Sequence, residues 1–254
     1  MGSTQNVAVV TGSGKGIGLA VAQKLASTGY QVVVSDVDAE SAQRAAATID
    51  GALALPCDVT DEKQVQNLVS ETVDRLGGIR VMVPNAGIGI AAPLMHADFN
   101  AWRRMMSVNL DGVFLCMTHA AQAMADNGGG SIVNLSSITA LGGTPLFGCY
   151  AATKAAVLNL TKTAAVEWRP SNIRVNAVLP GFVGTDLVRD VASDFETMAQ
   201  LGEGGFNALV EAKQGRYGTV QDVASAVAFL ASEEQSWITG SGLVLDGGLT
   251  ASPF

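Results

Sequence analysis

Apolar residues in this chain fall into short, nearly continuous runs separated by longer stretches in which they recur with helical spacing. The runs are NVAVV at 6–10, QVVVS at 31–35, ALALP at 52–56, VMVP at 81–84, SIVNL at 131–135, RVNAVL at 174–179 and GLVLD at 242–246. They are too apolar for strands with one wet face, and suit a parallel sheet covered on both sides. Residues 39–49, 61–76, 99–127 and 147–168 have the length and composition of helices. Strand alternating with helix predicts parallel pairing through crossover helices, hence a doubly wound α/β sheet of about seven strands. Neither a linker nor a repeat interrupts the alternation, so residues 1–254 read as one domain.

The residues that follow the strands carry more information than the strands do. The first run leads to Thr11-Gly12, the second to Asp36, the third to Asp58, the fourth to Asn85-Ala86-Gly87, the fifth to Ser136-Ser137 and the sixth to Pro180-Gly181. In an open parallel sheet, ligands bind outside the carboxyl ends of the strands. These groups, distant in sequence, are therefore expected to line one crevice.

Composition narrows the function classes. Of 254 residues, 48% are hydrophobic and 15% charged, which fits a large core and argues against disorder. The net charge of -8, with 15 basic residues scattered among 23 acidic ones, disfavours nucleic acid and anionic membranes as partners. No apolar run reaches a membrane span and no secretory leader is visible. Gly2 resembles the start of an acylation signal, but Asn6 stands where that pattern needs Ser or Thr. Cys57, Cys116 and Cys149 lack paired spacing and read as reduced core thiols; with only His96 and His119 beside them, no metal site is expected. A cytoplasmic protein follows from these readings.

The segment TGSGKGIG, Thr11 to Gly18, follows the first strand and opens a helix. There Gly12, Ser13, Lys15, Gly16, Ile17 and Gly18 would let backbone and a helix N-terminus approach a pyrophosphate, although a plain tight turn is the alternative. Asp36, at the end of the second strand, would accept hydrogen bonds from ribose hydroxyls and repel the 2′-phosphate of NADP; its alternative is an N-cap for the helix near residue 39. Lys15 pulls weakly the other way, and the balance favours NAD(H). In CYAATKAAV, residues 149–157, Tyr150 and Lys154 stand one helical turn apart. Either they are a half-buried phenol and a solvated ammonium, or the cation lowers the phenol's pKa toward working pH.

Taken together, these motifs resemble the short-chain dehydrogenase/reductase family over nearly the whole chain. The matching residues are the T-G-x-x-x-G-x-G loop, Asp58-Val59, Asn85-Ala86-Gly87, Asn109, Ser137, Tyr150-x-x-x-Lys154, and Pro180-Gly181 followed by Thr185. The resemblance implies a Rossmann-type fold and an NAD-dependent oxidoreductase acting on CH–OH groups. It implies that Tyr150 is the general acid or base, that Lys154 lowers its pKa and binds the nicotinamide ribose, and that Ser137 holds the substrate oxygen. Asn109 would hold a relay water, Asp58 and Val59 would flank adenine, and Asn85, Ala86 and Gly87 would floor the cofactor. Val183 and Thr185 would contact the nicotinamide end beside Pro180 and Gly181. A homotetramer packed through the helices near Phe99 and Phe147 is implied as well.

Three loops would choose the substrate: 88–96, 138–147 and a mobile lid at about 185–216. Ile88, Ile90, Leu141, Leu146, Phe182, Val183 and Leu187 make the expected pocket apolar, which suits an uncharged, moderately hydrophobic secondary alcohol or ketone. Two other readings stand beside it. One is a 3-oxoacyl-carrier-protein or acyl-CoA reductase, against which count the acidic charge and Ser171, where such reductases often carry a basic residue. The other is a non-catalytic NAD(H)-binding redox sensor, against which counts the complete set of Ser, Tyr and Lys.

Overall fold

The computed structural model describes residues 6–202 and 204–251; Gly2 and its acylation-like pattern lie outside them. Seven strands form one parallel sheet: β1 (Val7–Thr11), β2 (Gln31–Ser35), β3 (Leu53–Ala54), β4 (Val81–Val83), β5 (Gly130–Leu135), β6 (Ile173–Pro180) and β7 (Gly242–Leu245). Their order is β3-β2-β1-β4-β5-β6-β7, so the winding reverses between β1 and β4. A crevice opens at such a switch point, outside the carboxyl ends of the strands.

The helices are α1 (Gly16–Ser27), α2 (Ala39–Ala46), α3 (Glu62–Leu76), α4 (Phe99–Met106), α5 (Gly112–Asp126), α6 (Gly148–Glu167), α7 (Asp186–Ala199), α8 (Gly205–Gln214) and α9 (Val220–Ala231). Alternation along the strands sorts the core into two layers. Ala8 and Val10 pack with Val21, Leu25, Ala42 and Val227 under α1, α2 and α9. Val7 and Val9 pack with Leu68, Met117 and Val157 under α3, α5 and α6. Both faces are therefore dry, which is why the strands read as unbroken apolar runs.

Helix starts follow local chemistry. Asp38 caps α2 by accepting from the Glu40 and Ser41 amides, Asp61 caps α3, and Thr219 with Asp222 closes a reciprocal capping box on α9. The capping alternative considered for Asp36 thus belongs to Asp38. Two elements depart from the sequence expectation. The third strand shrinks to Leu53–Ala54, since Pro56 ends the run without an amide to pair. The helix expected over 99–127 is interrupted by a π-helical turn, Ser107–Asp111, between α4 and α5. Such an inserted turn rotates the side chains that follow it, and at this point it carries Asn109 into the protein interior.

Candidate active site

The glycine loop brings β1 directly into the N-terminus of α1. That helix begins at Gly16 without a side-chain cap or an acidic residue in its first turn, so its first amides point into the crevice unclaimed. Gly16, at φ +60°, has open space where a side chain would project, whereas a Cβ at Gly18 would lie 2.2 Å from the Gly12 carbonyl oxygen. The first glycine leaves a cradle and the second permits close packing. An anionic pyrophosphate fits the donors and the space. Lys15 turns outward, its ammonium 3.5 Å from the Asp186 carboxylate at the start of α7. Ser13 is fully buried and donates to the Val10 carbonyl, and half-buried Ile17 packs on the core beneath.

Asp36 sits at the tip of β2, its carboxylate accepting the Gly14 amide at 2.9 Å and the Asp38 amide at 3.2 Å. It therefore closes over the glycine loop. Asn85 sews the ends of β1 and β4 together, its side-chain amide donating to the carbonyls of Thr11 and Gly12 at 2.9 Å each. Ala86 packs against Gly12. Asp58 folds back on Thr60, accepting from its amide and its hydroxyl, while Val59 is buried against Gly112. Asn85 and Ala86 thus hold the ends of β1 and β4 together at the carboxyl edge of the sheet.

Across the crevice, the second half of the site is built on β5 and α6. Ser137 caps a short turn, Ile138–Ala140, with its hydroxyl accepting the Thr139 amide, and it hydrogen-bonds the Tyr150 phenol. Lys154, one turn along α6, lies 5.5 Å above the Tyr150 ring and donates to the Leu135 carbonyl at 2.8 Å. Burial pushes the Tyr150 phenol up to about 12, with the Ser137 hydrogen bond opposing, and brings the Lys154 ammonium down to about 8. The ammonium stands over the ring rather than at the oxygen, and burial of the oxygen sets the direction of the phenol's shift in the protein alone.

Asn109 is fully buried and pairs with one backbone unit, accepting the Ile88 amide and donating to the Ile88 carbonyl at 2.8 Å each. Both of its polar groups are thus engaged with the chain, and its amide also reaches the Thr153 hydroxyl at 3.4 Å. Gly87 lies between Asn109 and Lys154: a Cβ there would sit 3.4 Å from the first and 3.7 Å from the second. The two side chains therefore face each other across the β4 exit.

At the end of β6, Pro180 and Gly181 lead into Phe182, Val183 and Thr185. Val183 is buried and bridges to Gly218, and the Thr185 amide donates to the Val183 carbonyl at 2.7 Å. Sequence reasoning missed Gln214, which is buried and grips this turn from the end of α8, accepting the Phe182 amide and donating to the Phe182 and Arg216 carbonyls. A glutamine ending a helix carries no signal that could have singled it out. Four aromatic rings connect the walls: Phe147 stacks on Phe195 at 6.0 Å, Phe195 meets Phe206 at 5.2 Å, and Phe206 meets Phe182 at 5.1 Å. Leu146, Phe195 and Tyr150 pack about Phe147 and Ala91, and Leu187 covers Gly89. Leu141, half-exposed, lines a groove along α6 together with Leu146, Leu94, Ala151 and Ala155. His96 is exposed, and His119 stands 3.6 Å from Glu62 on the far side of α5.

Comparison with known proteins agrees with this geometry. The family model described as enoyl-(acyl carrier protein) reductase matches residues 12–250. The chain is 42% identical over 254 residues to a cis-4-hydroxycyclohexanecarboxylate dehydrogenase of Sinomonas cyclohexanicum, covering 97% of each protein. It is 36% identical to an NADP-dependent (R)-specific alcohol dehydrogenase of Lentilactobacillus kefiri, over 96% of each. A gluconate 5-dehydrogenase from Burkholderia cenocepacia, solved with NADP and tartrate, superposes with a TM-score of 0.89 at 34% identity, over 97% of this chain and 96% of that one. A nicotinamide-binding fold with an uncapped helix N-terminus on one wall of its crevice, a Ser-Tyr-Lys cluster on the other, and relatives matched from end to end place this chain in the short-chain dehydrogenase/reductase family, as an oxidoreductase.

Proposed function

We propose that the protein is an NAD(H)-dependent dehydrogenase/reductase of an uncharged, moderately hydrophobic secondary alcohol or ketone. The observation that carries this reading is the convergence of Ser137, Tyr150 and Lys154 beneath an apolar wall of Leu146, Phe147 and Phe195. A bound nicotinamide supplies or accepts the hydride. The chain's own residues handle the oxygen: Ser137 donates to it and Tyr150 gives or takes its proton. Lys154 stands over the phenol ring and steadies the proton's departure, with Asn109 facing it across Gly87. Burial holds the phenol high in the protein alone, and the Ser137 contact opposes it.

Asp36 supports NAD(H), since its carboxylate at the tip of β2 opposes a 2′-phosphate, and Lys15 has its charge engaged by Asp186. The named alcohol dehydrogenase relative uses NADP and the gluconate dehydrogenase holds it, so discrimination must be measured. NADH is expected to bind about tenfold or more tightly than NADPH by fluorescence titration, and Asp36→Ala to narrow the gap. Equal affinities in the wild type would remove the assignment. Free, buried Cys57, Cys116 and Cys149 suit a reducing compartment, and among the described residues no helix is long and apolar enough to cross a membrane.

The helices α7 and α8 act as a lid over 185–216, with Gly202 and Gly204 at positive φ in the bend between them. Exposed Phe114 on α5 and Val166 on α6 support a homotetramer packed through those helices. The matched family description keeps a carrier-linked substrate as the second reading. Faster reduction of a 3-oxoacyl thioester than of any free ketone would favour it.

A further inference from the structure

β5 and α6 are joined by polar rungs set into an apolar interface. Asn134 and Ser136 stand two residues apart and so share one face of the strand. The Asn134 side-chain amide donates to the Thr161 hydroxyl at 2.9 Å, and the Ser136 hydroxyl donates to the Lys154 carbonyl at 2.8 Å. All four residues are buried. A third bond runs the other way, from the Lys154 ammonium to the Leu135 carbonyl. Leu135, the last residue of β5, and Ser136 just past it therefore grip Lys154 at both ends, one at the tip of its side chain and one at its backbone.

The grip on the backbone is not required by the helix. A carbonyl within a helix already accepts an amide four residues on, and the Ser136 hydroxyl takes its second lone pair. Ser136 is itself anchored, because its amide donates to the Val178 carbonyl of β6 at 2.9 Å. It cannot follow α6 if the helix shifts. The groups that face Lys154 are few: Tyr150 from its own helix, Asn109 from the π-helical turn, Gly87 from the β4 exit, and the Leu135 carbonyl from β5. Of these only Tyr150 titrates, and none of the ion pairs among the described residues includes Lys154.

We propose that Ser136 is a positioning residue, whose hydroxyl fixes the height of α6 on the sheet at the Lys154 turn and thereby the placement of the ammonium over the Tyr150 ring. This rests on the catalytic reading of Tyr150 and Lys154. The neighbouring rung provides a control, since Thr161→Val breaks the same kind of bond in the same interface two turns away, without touching Lys154.

The test compares wild type, Ser136→Ala and Thr161→Val in two ways. Steady-state kinetics with NAD and the best secondary alcohol should show kcat falling about tenfold to a hundredfold in Ser136→Ala, with the KM for alcohol little changed, and little loss of kcat in Thr161→Val. NMR titration of cofactor-free protein labelled with 13C at the lysine ε-carbon should show Lys154 titrating about half a unit or more nearer the ordinary lysine value in Ser136→Ala, as water reaches it, and unmoved in Thr161→Val. If the alanine variant does not fold, Ser136→Cys, which keeps the shape and weakens the donor, is read the same way. Equal kcat losses in the two variants, or an unmoved Lys154 titration, would overturn the proposal. Absence of turnover in the wild type would count against the proposed function instead, and the titration would still decide the role of Ser136.

Discussion

Burial moves Tyr150 and Lys154 in opposite directions, up to about 12 and down to about 8, so each is pressed toward its neutral form. For Lys154 this has a consequence for stability. The unfolded chain keeps its lysine protonated up to the ordinary value of 10.5, while the folded chain releases the proton from about 8 upward. Between those values the unfolded state binds more protons, so this residue's contribution to stability rises with pH, and below 8 it is a standing cost on the order of 3 kcal/mol. Lys154→Met is therefore expected to lose turnover and yet melt as high as wild type, or higher, at pH 7. Its advantage should shrink as the pH approaches 10, as thermal melts of the two proteins would show; a deficit at pH 7 that does not vary with pH would contradict this. The helical spacing of the pair was legible in the sequence, but the sign of the phenol's shift was not. Spacing reports which charges are near, whereas desolvation depends on what closes over them from β5 and the lid. Asn109 illustrates the same limit: the loop that begins at Ile88 was legible, but the pairing of its backbone with Asn109 is a tertiary contact that spacing does not report.

The glycine loop separates two kinds of requirement within one element. A methyl group at Gly18 would collide with the Gly12 carbonyl and the Asn85 side chain, so Gly18→Ala should fail to fold stably. At Gly16 there is room, and only the positive φ resists, at a cost of about 1–2 kcal/mol. Gly16→Ala should remain folded, with a slightly lower melting temperature, but lose NADH affinity about tenfold or more, because the added group enters the cradle at the helix N-terminus. Circular dichroism and NADH titration separate the outcomes, and unchanged binding in Gly16→Ala would mean that the cofactor lies elsewhere. The loop was readable from its glycines and from the strand before it. The π-helical turn at Ser107–Asp111 was not, since its residues keep helical composition and only the burial of Asn109 displays the extra residue in the turn. Gln214, which ties the end of α8 to Phe182, is a tertiary contact with no local pattern.

At the scale of the molecule, parallel pairing and a crevice at the carboxyl ends followed from alternation, because parallel strands need crossovers, whereas the order of the strands in the sheet carried no sequence signal. Surfaces were less legible: a helix face covered by a second copy and one facing water differ by few residues. Phe114 and Val166 stand 49% and 65% exposed on α5 and α6, and charges placed there should break an assembly built on those helices. Light scattering after size exclusion is expected to give four chain masses for the wild type and fewer for Phe114→Asp combined with Val166→Asp; an unchanged mass would move the interface elsewhere. Everything else rests on the Tyr150 phenol as the group that exchanges a proton with substrate. The most direct measurement is NADH formation from NAD across secondary alcohols graded from small to steroid-sized, with wild type and Tyr150→Phe side by side. Turnover that peaks at one size and is lost in the variant, with NADH binding intact, is the predicted result. Turnover that survives in Tyr150→Phe, or silence across the whole panel in a wild type that binds NADH, would contradict it.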